Sequence, residues 1–134
     1  MTVFLRWMMA AIFIAGGALH LLKPEIYRPV MPGWLPAHGL LILVSGVAEI
    51  AGGAGLLSPR TRRAAGVGLM LLLVAVFPAN IEMLRVYRAQ APWWGTLLLW
   101  LRLPLQAVLI WLTWRVARQP ARAVRAPAGE RSAD

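Results

Sequence analysis

Five polar side chains stand within or at the end of long apolar runs: His20, Glu49, Asn80, Arg102 and Gln106. Together they offer an imidazole, a carboxyl group, two primary amides and a guanidinium. That set can hydrogen-bond a small polar headgroup, or hold and pass a proton. Other chemistries are closed to it. The chain has no cysteine, which removes thiolate catalysis, disulfide exchange and iron–sulfur ligation by its own residues. Its only histidines are His20 and His38, so no metal site is expected. No nucleophile–base constellation, phosphate loop or metal motif can be read, and the chain is not expected to work as an autonomous enzyme.

The elements that must position these residues follow from composition. Of 134 residues 60% are hydrophobic and 14% charged. A water-soluble domain carries about a quarter charged residues, so this chain has too little polar surface to cover a globule in water. Crossing a bilayer takes roughly 20 mostly apolar residues. Four segments qualify, at about 3–22, 40–57, 64–84 and 93–114. The expected fold is all-α, an integral membrane four-helix bundle formed by residues 1–116, with a basic tail at 117–134. Arg6, an apolar run and the small residues Ala15 to Ala18 imitate a cleaved leader. The run continues through Leu21 and Leu22 and three spans follow, so a retained helix is the better reading.

Arginine asymmetry orients the spans. Arg6, Arg60, Arg62, Arg63, Arg115, Arg118, Arg122, Arg125 and Arg131 fall on the side of both termini, and Lys23, Arg28, Arg85 and Arg88 on the other. The positive-inside rule then puts both termini in the cytoplasm of a bacterial inner membrane. Trp93 and Trp94 fall at one interface and Trp111 and Trp114 at the other. This explains the net charge of +9 without nucleic acid. The segment 23–38 carries Pro24, Pro29, Pro32 and Pro36 with Tyr27 and Trp34, and is expected to form a rigid cap over the outer mouth.

Charged residues within spans are costly and turn toward the bundle interior. Helical spacing puts Ser45, Glu49, Gly52 and Gly53 on one face, and Arg102, Gln106 and Thr113 within about 40° of one another. An interhelical Glu49–Arg102 pair is the expected consequence. Asn80 and Glu82 are about 200° apart and cannot both face inward, so Glu82 is assigned to Arg85 or the interface. Pro78 and Pro104 permit kinks. Gly46 and Gly53 leave span two open to close helix contacts, including those of a homo-oligomer. The polar positions converge on one half of the bundle, as a ligand or proton site or as a hydrogen-bonded network that fixes helix register.

Several runs carry a further signal. They are Gly16–His20 leading to Lys23–Pro24–Glu25, then Leu35–Pro36, Ser45–Gly46 with Glu49 and Gly53, and Gly55–Leu56–Leu57 with Pro59, Thr61 and Arg62. Phe77–Pro78–Ala79–Asn80–Ile81 and Arg102–Leu103–Pro104–Leu105–Gln106 are the most specific. In these runs the chain resembles the DoxX-like family of small bacterial membrane proteins, up to about Arg118. The resemblance implies a four-helix membrane bundle and an accessory or quinone-interacting role in a redox or stress-response system. Quinone would be the ligand, and other membrane or redox proteins the partners beside the lipid bilayer. It carries no established catalytic set. A proton or small-molecule transporter working as an oligomer, and a purely structural membrane subunit, are the competing readings.

Overall fold

The computed structural model describes residues 2–119, so the expected tail falls, beyond Gln119, outside the described residues. Four helices account for most of this span: α1 Thr2–Leu22, α2 His38–Leu57, α3 Arg62–Tyr87 and α4 Trp93–Ala117. They are 21, 20, 26 and 25 residues long. At 1.5 Å per residue each reaches about 30 Å or more, the thickness of the hydrocarbon layer. All four are apolar enough to cross it. The chain is a multi-pass membrane bundle, and its large side chains point outward as lipid demands. Leu22, Leu71 and Trp93 are each exposed on the outer surface.

The helices run in sequence around the bundle. α1 packs on α2, α2 on α3 and α3 on α4, while α1 touches α4 only lightly and α2 and α4 stand diagonally apart. Lipid tails are as apolar as the side chains, so close backbone approach replaces hydrophobic exclusion as the source of cohesion. Glycines provide it between α1 and α2. A Cβ on Gly17 would collide with the Gly46 carbonyl oxygen, and one on Gly53 would lie 2.9 Å from that of Ala10. Gly46 and Gly53 thus make the close helix contacts expected of span two, and α1 is the helix they meet. Gly52 does not share the face of Glu49 and Gly53: it turns toward Leu69 of α3.

The interior is divided along its length. Met9, Phe13, Leu56, Leu69, Leu73 and Val116 form an apolar core in the half that carries the start of α1 and the end of α4. The polar positions occupy the other half. The turn between α2 and α3 closes the apolar half with side-chain caps. Thr61 Oγ1 donates to the Gly55 carbonyl at 2.9 Å, and Arg62 Nε donates to the Leu56 carbonyl at 3.1 Å. Both carbonyls belong to the last turn of α2, which has no intrahelical donors for them.

At the opposite end, the proline-rich segment forms two 3-10 turns, Pro24–Ile26 and Arg28–Val30, instead of a helix or a strand. Val30 is buried, and the second turn packs on α3. His38 belongs to α2, two residues before the expected start, and its Nε2 lies 3.1 Å from the Pro32 carbonyl oxygen. Ala37 before it is left-handed, with φ 52°. Helices α3 and α4 continue through Pro78 and Pro104.

Candidate intramembrane polar site

Three of the five sequence-derived residues form a single chain of hydrogen bonds between α3 and α4. Arg102 Nε donates to Asn80 Oδ1 at 2.9 Å, and Asn80 Nδ2 donates to Gln106 Oε1 at 2.8 Å. Gln106 Nε2 then donates to the Leu73 carbonyl. The order is forced from its charged end. Arginine can only donate, so Asn80 must turn its oxygen to it. The Asn80 nitrogen then meets the Gln106 oxygen, and the Gln106 nitrogen is left for a carbonyl. Each amide is used at both ends. The chain finishes one residue before Val74, whose carbonyl lacks a helical donor because Pro78 has no N–H. Neighbouring polar side chains are what let membrane helices tolerate a proline of this kind.

The two most specific sequence runs, Phe77–Ile81 and Arg102–Gln106, thus make one structural unit. Gln106 is 4% exposed and Thr113 fully buried, so these two members of the α4 stripe face inward. Arg102, expected on the same inward stripe, is exposed at its edge and turns its Nε back to Asn80.

His20 and Glu49 form the second half of the site, between α1 and α2. His20 Nδ1 lies 3.8 Å from Glu49 Oε1, and both side chains are largely covered. Small residues make the room. A Cβ on Gly16 would lie 2.8 Å from Glu49 Oε2, and one on Gly46 would lie 2.8 Å from the His20 Cβ. His20 Nδ1 is buried with no hydrogen-bond partner. The 3.8 Å separation is an electrostatic contact and is too long for a hydrogen bond.

Among the described residues no Glu49–Arg102 ion pair forms, which corrects the sequence expectation. The diagonal placement of α2 and α4 is the reason: Asn80 of the adjacent α3 reaches Arg102 first. Arg102 stays near enough for its charge to act on His20, Tyr27 and Glu49. Glu82 pairs with Arg85 at 2.9 Å, away from this cluster.

Tyr27 is the member that sequence reasoning placed in the cap but not in the site. Its ring meets the His20 ring edge-on, with centroids 3.9 Å apart. Burial raises its phenol above the ordinary value, the Glu49 carboxylate acts in the same direction, and the Arg102 guanidinium opposes both. The available signal was an aromatic hydroxyl held by prolines five residues beyond Leu22, the end of α1.

The arrangement has a satisfied part and an open part. Asn80 and Gln106 complete each other and hold Arg102. His20, Glu49 and Tyr27 form a group of donors and acceptors against the proline-rich turns, close enough to Arg102 to feel its charge. No group of three or more metal-ligating side chains occurs among the described residues.

Fold and site together define a four-span membrane protein with a polar cluster inside one half of its bundle. Residues 9–117 match the family described as Domain of unknown function (DUF8561), and the chain belongs to that family. No curated protein and no solved structure matches it.

Proposed function

We propose that this chain is a small inner-membrane protein, with both termini cytoplasmic, whose polar half receives the headgroup of a quinone-like lipid as an accessory component of a redox or stress-response system. The observation that carries this reading is the buried, unpartnered Nδ1 of His20 beside Glu49 and Tyr27. A buried nitrogen without a partner costs about 1–3 kcal/mol, and a ligand carbonyl or hydroxyl would relieve it. Arg102 supplies further donors, oriented by Asn80. A quinone carries two carbonyl acceptors on a ring and an apolar tail, which fits donors at the headgroup and lipid-facing helices along the tail. The resemblance of the same runs to the DoxX-like family points to the same class.

Proton transfer is the second reading, because Glu49 and His20 face each other within the spans. In that role Glu49 would be the coupling residue, and the transporter would work as an oligomer.

The deciding experiment is thermal unfolding of the detergent-purified protein with and without a short-chain quinone, in wild type, Arg102→Gln and His20→Phe. A ligand that binds the folded state raises its apparent stability by mass action. Stabilisation of wild type that is lost in both variants supports the headgroup site. Quinone that changes neither melting nor spectra in any of the three removes it. Proton flux in liposomes that Glu49→Gln abolishes would favour the transporter in its place.

A further inference from the structure

At the end of the bundle opposite the polar cluster, Arg62, Arg63 and Arg118 open onto one cavity of about 420 Å³, bounded by Pro59, Ala117 and Gln119. That lies within the range of small-ligand pockets, about 300–1,000 Å³. Its charge is one-sided. Arg62 is 3% exposed. Its Nε serves the Leu56 carbonyl, and a terminal nitrogen donates to the Gln119 carbonyl at 3.3 Å. These bonds tie the ends of α2 and α4 together and satisfy N–H groups, but carbonyls leave the net charge in place.

Arg6 adds to the imbalance, because its charge acts directly on Arg62 and its own Nε is buried without a hydrogen-bond partner. The carboxylates among the described residues are Glu25, Glu49 and Glu82, all in the other half. Buried charges are tolerated when they are paired. This end of the molecule holds several arginines around an opening and, among its described residues, no counter-charge.

We propose that this cavity binds the phosphate of an anionic phospholipid headgroup. The guanidinium fork matches phosphate oxygens with paired, charge-assisted hydrogen bonds. Two features select a lipid over a soluble phosphate. The cavity lies at the level where α2, α3 and α4 leave the membrane. Arg118 also rests on the Trp114 ring, 4.3 Å from its centroid, in the aromatic zone where headgroups sit. Thr61 contributes indirectly: its hydroxyl is turned to Gly55, so the first turn of α3 has no side-chain cap.

The test uses the full-length protein in a neutral detergent. Thermal unfolding is followed against short-chain phosphatidylglycerol, phosphatidylcholine of equal chain length, and inorganic phosphate at matched ionic strength. Arg63→Gln and Arg118→Gln are the informative variants, since Arg62 also holds helix ends and its loss would confound folding with binding. Arg60→Gln, on the same turn but outside the cavity, is the charge control. Phosphatidylglycerol should stabilise wild type saturably, and its apparent affinity should fall about tenfold in each of the two cavity variants and stay unchanged in Arg60→Gln.

Equal stabilisation by phosphatidylcholine, or an equal loss in Arg60→Gln, would overturn the proposal in favour of diffuse surface charge. Saturation by inorganic phosphate, with no further effect of the lipid, would overturn the lipid assignment and leave a soluble phosphate as occupant. A wild type that ignores all three ligands until Glu130 and Asp134 are replaced would have its own tail carboxylates in the cavity, which also overturns it.

Discussion

Replacing Asn80 by leucine breaks the interhelical hydrogen-bond chain at its middle, and the structure says what that should cost. Two bonds disappear together, the 2.9 Å bond from Arg102 and the 2.8 Å bond to Gln106. Gln106 is nearly fully buried, so its oxygen is left with no donor and no water. A buried acceptor without a partner costs about 1–3 kcal/mol. Interhelical bonds within membranes average about 0.6 kcal/mol in double-mutant cycles, which places the loss toward the lower end. Asn80→Leu should therefore destabilise by about 2 kcal/mol, adding the orphaned oxygen to the lost Arg102 bond.

Gln106→Leu alone should cost a similar amount, because it strands Asn80 Nδ2 and removes the donor to Leu73. The double variant is the decisive one. With both amides gone neither is orphaned, so it should be less destabilised than the sum of the singles by about 1 kcal/mol. The assay is reversible unfolding in mixed micelles, followed by helical circular dichroism. Additivity to within about 0.5 kcal/mol would refute the reasoning, because it would mean that the two amides do not depend on each other for their hydrogen bonds.

Three other outcomes are expected. Gly17→Leu should lower stability by about 1–3 kcal/mol through overpacking against the Gly46 carbonyl, whereas Gly68→Ala, with nothing within 4 Å, should be neutral or stabilising by up to about 1 kcal/mol; thermal melts of the two side by side check this. Arg62→Met should cost about 2–3 kcal/mol by releasing the Leu56 and Gln119 carbonyls from a charged donor, and Arg62→Lys should recover only part of it when both are melted in the same detergent. Tyr27 should ionise above its ordinary value near 10. Because its pKa is raised in the folded state, its contribution to stability is complete below that value and is lost as pH rises through the folded one. Tyrosinate absorbance titration of wild type against Tyr27→Phe reads the shift, and the variant should lose less stability under alkaline conditions.

Much of the bundle was legible in the residues because bilayer thickness converts directly into chain length. Four apolar runs of about 20 residues leave little freedom over element type or number, and helices α1 to α4 fall within a few residues of the expected spans. The five polar positions were legible for the same reason: in a lipid-facing sequence, histidine, carboxylate, amide and guanidinium groups stand out against their surroundings. The four prolines of segment 23–38 excluded both regular helix and strand there, and 3-10 turns occupy it.

Partnership was a different matter, since it depends on which helices are neighbours, and spacing along one helix carries no such information. Reach and depth suggested that Glu49 would meet Arg102. The circular order of the helices puts Asn80 between α3 and α4 where it takes the arginine, and leaves Glu49 with His20. The same order brings Gly46 and Gly53 against α1, a partner that their spacing on α2 could not name. Tyr27 joins the site only because the proline-rich turns fold back over α1, and Arg62 becomes a buried tie between two helix ends only because α2 and α4 end beside it. Length, polarity and breakers are local properties and can be read from residues alone. Who meets whom is fixed by glycine contacts and helix order, which exist only once the bundle has closed.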